Sequence, residues 1–315
     1  MSGPGHADAD IPRCLGAISG PRGGPTVVIT GGLHGNEPAG LFAAQKVLAE
    51  LEAVRDAMCG TVVAFSGNRS ALANGVRFVS RDLNRGWRTA HLDHLRDVGP
   101  DDLVSEDAEQ RELHDAFIRL ERESSQLVFL DLHTTSGPTE PFVCFSDTPA
   151  NRALACALSV NVVLGLEHEV DTSMLTWASS RGHVGISFEA GQHEDPAACD
   201  RHVSAAWMLF VVLGVVDAHE VPGAETSRLV AERAAISSRV VEVTYRHVVE
   251  PDDEFVMLDG FEGFDWIEAG QPVARDRRGP VRAPQSGLML MPRYQAAGED
   301  GYFLAREVAC PIVGA

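Results

Sequence analysis

Four stretches of this chain place metal-binding or proton-transferring groups directly after apolar runs. In ITGGLHGNEPAG, residues 29–40, His34 and Glu37 stand three apart. Two glycines permit a tight turn there, and open α/β sheets set their ligand sites at the carboxyl ends of strands. An imidazole nitrogen and a carboxylate oxygen suit zinc, although such a pair also occurs in solvated loops. DLHTTS, residues 131–136, supplies His133 at the end of a second apolar run. Two histidines and one carboxylate leave a coordination position open for water. Asp131 shares a strand face with His133 and is placed to orient it or a neighbouring cation.

In VGISFEAGQHE, residues 184–194, Glu189 leaves a third apolar run close to Gly191. A carboxylate in that position is costly unless paired, hydrogen-bonded or functional. It can take a proton from zinc-activated water and pass it to a leaving nitrogen. VRFVSRDLNRGW, residues 76–87, concentrates Arg77, Arg81, Asp82, Asn84 and Arg85. The planar guanidinium fork matches a carboxylate. Asn84 and Arg85 can clamp one, and Arg77 can polarise a carbonyl or share the clamp. Arg81 reads as surface ion pairing.

HGNE, an asparagine-led stretch ending DLNR, DLHTTS and E-x-G, in that order, resemble the succinylglutamate desuccinylase/aspartoacylase family, relatives of the zinc carboxypeptidases. The likeness runs from Thr26 to Glu189, and residues 287–307 look like the family's C-terminal β domain. The resemblance implies one zinc ion per chain on His34, Glu37 and His133. It implies Glu189 as general base and acid, Arg77 on the developing oxyanion, and Asn84 with Arg85 on a substrate carboxylate. The implied reaction cleaves a small N-acyl amino acid into a carboxylic acid and an amine. Two departures stand out: Arg69 occupies a position often held by proline, and TSMLTWASSRGH, residues 172–183, lacks a clear Tyr/Arg pair for a second carboxylate. Arg181 is the only cation in that stretch and the candidate for the role. A neutral or basic amino acid side chain is therefore open, while Trp177 and Tyr294 read as packing. The competing readings are a metallocarboxypeptidase acting on peptides and a non-catalytic zinc-bearing binding protein.

Elements must bring these groups together. TVVIT (26–30), TVVAFS (61–66), LVFLDLH (127–133), VNVVLG (160–165) and VGISFE (184–189) read as strands. Helices are expected from Asn36 and Pro38 to about Ala57, over Glu106–Glu123, and over Asp195–His219. Thr89–Asp102 is polar and reads as a surface loop. Strands alternating with helices predict an α/β fold: a zinc-carboxypeptidase-like mixed sheet flanked by helices. After Val221 short apolar runs alternate with turn signals such as Asp259-Gly260. This predicts a catalytic domain over 1–224 and a smaller all-β domain over 225–315 capping the cleft.

Composition narrows the partners. Lys and Arg number 26 against 45 Asp and Glu, a net charge of −19, which disfavours nucleic acid and acidic membranes. Six cysteines without a CxxC spacing read as reduced thiols. No signal peptide and no apolar run of about 18 residues is seen. The expectation is a cytoplasmic protein with a small-molecule partner, compatible with a homo-oligomer. Cys144 and Cys156 read as core, His91 and His94 as solvent-exposed, and His168 as salt-paired with its glutamate neighbours.

Overall fold

The computed structural model describes residues 11–99, 102–166, 172–223 and 239–309. Strands β1 (Cys14–Ser19), β2 (Arg22–Gly31), β3 (Cys59–Ser66), β4 (Leu127–Thr135), β5 (Phe142–Cys144), β6 (Asn161–Leu164) and β7 (Val184–Gln192) form the first part of the sheet. Helices α1 (Ala39–Ala53), α2 (Arg69–Asn74), α3 (Thr89–Asp97), α4 (Ser105–Glu123), α5 (Pro149–Ala157), α6 (Met174–Ser180) and α7 (Ala198–Leu213) lie between and after these strands. The C-terminal region adds β8 (Val240–Val248), β9 (Val256–Met257), β10 (Trp266–Ile267), β11 (Pro272–Asp276), β12 (Gly279–Arg282), β13 (Gly287–Leu290) and β14 (Asp300–Glu307).

Eleven strands share one mixed sheet in the order β1-β3-β2-β4-β7-β5-β6-β8-β14-β13-β10. β2 pairs in parallel with β3 on one side and β4 on the other, and β4 pairs in parallel with β7. The chain therefore leaves β2 first to one side and later returns on the other. The crevice at the carboxyl ends of β2 and β4 is a topological switch point, where such sheets bind ligands.

Side-chain alternation sends the two faces of these strands into different cores. Val27 and Ile29 of β2 and Leu130 and Leu132 of β4 pack with α1 and α7 residues such as Val47, Leu51, Trp207 and Phe210. Val28 and Phe129 face the opposite way, onto Phe117 of α4 and Trp177 of α6. Asp131 and His133 continue the Phe129 face, so the α4–α6 side of the sheet carries the chemistry.

Thr89–Asp97 is helical rather than a surface loop. Leu92 and Leu95, three apart, anchor one buried face, and the polar residues around them hide that period in the sequence. The first helix ends at Ala53, and Asn36 does not cap it; its side chain donates to Gln295 instead. The helix expected over Asp195–His219 is confined to Ala198–Leu213 and stops at Gly214, at φ 69°. The β-rich C-terminal region is present, but it is not a free-standing layer: β8 pairs in parallel with β6 and carries the main sheet onward. β9, β11 and β12 form a separate three-stranded sheet. The expected boundary at 224/225 and His168 both lie outside the described residues.

Candidate active site

The turn after β2 aims the first two candidate ligands. Gly32 takes φ 76°, a left-handed conformation that a side chain disfavours. A Cβ at Gly35 would meet the Ala71 carbonyl carbon at 2.0 Å, so HGNE needs its glycine to pass against α2. The Gly35 N–H also donates to the Arg77 carbonyl at 3.2 Å, which ties this turn to the arginine-rich segment. Glu37 then stands at the entrance to α1.

His34, Glu37 and His133 converge, each with a ligand atom within 4.8 Å of the others, and all three are buried. Glu37 lies between the two imidazoles: Oε1 is 2.8 Å from His34 Nδ1 and Oε2 is 3.1 Å from His133 Nδ1. The far nitrogens are each backed by another carboxylate. His34 Nε2 is 3.0 Å from Asp82 Oδ1, and His133 Nε2 is 2.8 Å from Asp131 Oδ2. Asp131 in turn accepts from Thr30 Oγ1 at 2.6 Å. Both Nδ1 atoms therefore point at Glu37 while both Nε2 atoms are held from behind, the arrangement that orients metal-ligating histidines. Two imidazoles, one carboxylate and two backing acids fit a zinc ion.

The local fields are strong. Burial opposes charge on Glu37, yet His34 and His133 hold its carboxyl well below the usual range. Burial likewise works against His133, but Asp131 and Glu37 raise it well above an ordinary imidazole. Asp82 is held low, against burial, by His34 and Arg77.

Glu189 lies beside His133, in register on the neighbouring strand. Burial pushes its carboxyl up to about 8; Glu37 and Asp131 add to the rise, while His133 and Arg77 oppose it. Its Oε2 is buried without a hydrogen-bond partner. A buried acid with an unsatisfied oxygen beside a cluster that could hold a metal ion is able to exchange a proton there.

Arg77 donates to Asp82 Oδ2 at 2.9 Å and has NH1 3.6 Å from Glu37 Oε1, while its Nε is buried without a partner. Asn84 accepts from the Met174 N–H through Oδ1 at 3.0 Å, which leaves Nδ2 to donate. Arg85 reaches Asp300 Oδ2 at 3.6 Å. Together with His34, His133 and Glu189 these residues line one cavity of about 120 Å³.

Arg181 is not brought there. Its Nε and NH2 pair with Glu121 at 2.5 and 2.7 Å on an exposed face, and it does not line the cavity. The short α6 turns its C-terminal end toward α4, so the expected substrate role for Arg181 fails on position. Trp177 is buried packing, as expected. Arg81 pairs with Asp107 at 2.6 Å, the ion-pair role expected of it. Arg69 bonds Glu109 and Glu112 of α4.

Several residues at the site were given no role from sequence. Asp82 belongs to the DLNR stretch, and its backing role depends on contact with His34, 48 positions away. Glu106 accepts from Asn68 Nδ2 and from the backbone N–H groups of Val79 and Ser80, at 3.0, 2.6 and 3.0 Å. It thereby pins the loop that carries Arg77 and Arg85. Met291, Asp300 and Phe303 of the C-terminal region line the cavity. Met291 is held at φ 50°, a conformation that costs a side-chain-bearing residue about 1–2 kcal/mol. None of these carries a local signal; only a buried acid at a helix start, such as Glu106, hints at an unusual duty.

Comparison with known proteins agrees with this geometry. Residues 23–213 match the Succinylglutamate desuccinylase/Aspartoacylase catalytic domain family. A protein of Prochlorococcus marinus named "Probable aspartoacylase" is 30% identical over 170 residues, 53% of this chain and 54% of its own length. The chain spans about half or less of the length of the curated relatives it matches. Among solved structures, succinylglutamate desuccinylase from Vibrio cholerae superposes with a TM-score of 0.66 at 18% identity, over 91% of this chain and 82% of that one. The Ectoine utilization protein EutE (DoeB) from Ruegeria pomeroyi gives 0.65 at 20% identity, over 93% and 88%. These two likenesses establish a shared fold.

Proposed function

Since the chain belongs to the succinylglutamate desuccinylase/aspartoacylase family, we propose that it is a zinc-dependent deacylase that hydrolyses the amide of a small N-acyl amino acid. The observation that carries this reading is the convergence of His34, Glu37 and His133 beside the unsatisfied Glu189 carboxyl. Bound at the triad, one zinc ion would supply Lewis acidity and a positive charge that draws Glu189 down toward its ionised form.

The chain's own residues divide the remaining work. Asn84 Nδ2 and Arg85 grip the substrate carboxylate. The free Nε of Arg77 donates to the carbonyl oxygen as negative charge develops; loss of such a donor typically costs about 100–1000-fold in rate. Glu189 accepts a proton from the attacking water and delivers it to the amide nitrogen. The carbon–oxygen bond forms, the carbon–nitrogen bond breaks, and a carboxylate and an amine leave. Asp82 and Asp131 keep both imidazoles aimed.

Two further readings carry less support. A peptide-cleaving metallocarboxypeptidase needs a long open cleft, whereas Met291, Asp300 and Phe303 of the C-terminal region line one side of this cavity. A non-catalytic zinc-bearing protein would not need a buried, unpartnered acid at Glu189. Among the described residues no helix is long and apolar enough to cross a membrane, and the reading is of a cytoplasmic enzyme acting on a small molecule.

The test is metal content together with turnover on an N-acyl amino acid panel. Purified protein is expected to hold about one zinc per chain, and His34→Ala to lose it. Glu189→Gln is expected to keep the metal and lose at least about 100-fold in kcat. Protein that neither holds nor responds to zinc, or a Glu189→Gln variant with ordinary turnover, would refute the reading.

A further inference from the structure

We propose that the cavity selects an N-acyl amino acid with a single carboxylate and an apolar side chain, and discriminates against dicarboxylic ones; this rests on the deacylase reading above. Among the described residues, Arg77 and Arg85 are the only lysine or arginine side chains on the cavity wall. Each already faces an acid, Asp82 at 2.9 Å and Asp300 at 3.6 Å. With Asn84 they provide for one carboxylate and one carbonyl oxygen.

The character of the wall changes along the sheet. His133 on β4 is followed by Glu189 and Ser187 on β7, and Ser187 pairs with Cys144 on β5. Beyond Cys144 the wall is made by Phe145, Leu166, Leu175, Met291 and Phe303. The hydroxyls of Ser146 and Ser173, also on this side, are engaged with Thr176 Oγ1 at 3.4 and 2.9 Å.

The contact of Asn84 with the Ser173–Leu175 segment suggests which part of a substrate would meet this end. Asn84 Oδ1 accepts from the Met174 N–H, so the carboxylate-gripping amide stands against Ser173–Leu175. On this proposal, a group carried on the carboxylate-bearing carbon meets Leu175 and Phe145, which line the same cavity as Asn84. A second carboxylate placed there would lose its water without gaining a partner. An aliphatic side chain would replace water with matching surface.

The experiment pairs turnover with binding. Zinc-loaded wild type is assayed for kcat/KM on N-acetylleucine, N-acetylmethionine, N-acetylaspartate and N-succinylglutamate. The zinc-loaded Glu189→Gln variant is titrated with the same four compounds by calorimetry. The apolar pair is expected to exceed the acidic pair by at least about 100-fold in kcat/KM, with the same order in binding. Leu166→Arg, at a half-buried wall position, is expected to shrink that ratio at least about tenfold. Turnover that favours either dicarboxylic compound, or treats all four alike, overturns the inference and leaves the deacylase reading standing. Absence of turnover with the apolar binding order intact overturns the deacylase reading and upholds the pocket assignment. Absence of both turnover and binding overturns both.

Discussion

Asp82 and Asp131 illustrate how much of a candidate metal site lies one contact behind the residues proposed as its ligands. Each takes the Nε2 of one histidine, at 3.0 and 2.8 Å, and so leaves Nδ1 to face Glu37. Asp131 is further fixed by Thr30. Removing such a backing carboxylate frees the ring to rotate and lowers its basicity. Asp131→Asn is expected to weaken zinc binding by about 10–100-fold, read by competition with a chelating indicator, with little change in fold by circular dichroism. An affinity indistinguishable from wild type would show that Asp131 does not orient His133. The role of Asp131 was legible in the sequence, because two residues apart on a strand means one face. The role of Asp82 was not, because it requires the loop after Arg77 to fold back over the end of β2.

At the scale of elements, the arginine segment holds its shape through α4 rather than through its own backbone pairing. Glu106, fully buried, accepts from Asn68 and from consecutive backbone N–H groups at Val79 and Ser80. Glu106→Ala would leave those donors without a partner, a loss of about 1–3 kcal/mol. Its carboxyl sits below the ordinary value: burial pushes upward, but Asn68 and the Val79 and Ser80 amides prevail. The native state therefore binds the proton less readily than the unfolded chain. The stabilisation is complete above the unfolded carboxyl's pKa of about 4.5 and fades as pH falls through the lower folded value. The Tm gap between wild type and Glu106→Ala should be full at pH 7 and narrower at pH 3.5. A gap that stays constant would mean the charge of Glu106 plays no part. The helix Thr89–Asp97 went unseen for a related reason. Its two leucines bury against neighbours that are distant in sequence, and nine mostly polar residues show no apolar period on their own.

For the whole molecule, one continuous sheet joins the candidate site to the C-terminal region that lines part of its cavity. β6 pairs with β8, β8 with β14, and Phe303 and Asp300 reach the cavity from β14. The C-terminal strands are thus both wall and edge protection. A chain ending at residue 224 would expose the unpaired side of β6, with its Val162–Leu164 run, and such an edge invites pairing with other chains. That truncation is expected to elute as aggregate in size-exclusion chromatography. A monomeric, zinc-binding product would show that the two regions are independent. Against the net charge of −19, Arg77 and Arg85 are partly buried cations on the cavity wall, each beside an acid, Asp82 and Asp300.

What the chain determines by itself is the chemistry on offer: apolar runs that form strands, with His34 and Glu37 just past the end of β2 and His133 and Glu189 within the last residues of β4 and β7. Burial forces that pattern, since each strand is covered on both faces and its functional residues must emerge where the sheet stops. The tertiary structure alone decided who stands next to whom. β4 lies between β2 and β7, so residues about 100 positions apart share a triad. The direction of α6 takes Arg181 to Glu121 and away from the cavity. Distances between remote segments follow from strand order and register. These minimise the exposed apolar surface of the whole fold, so no local stretch of sequence contains them.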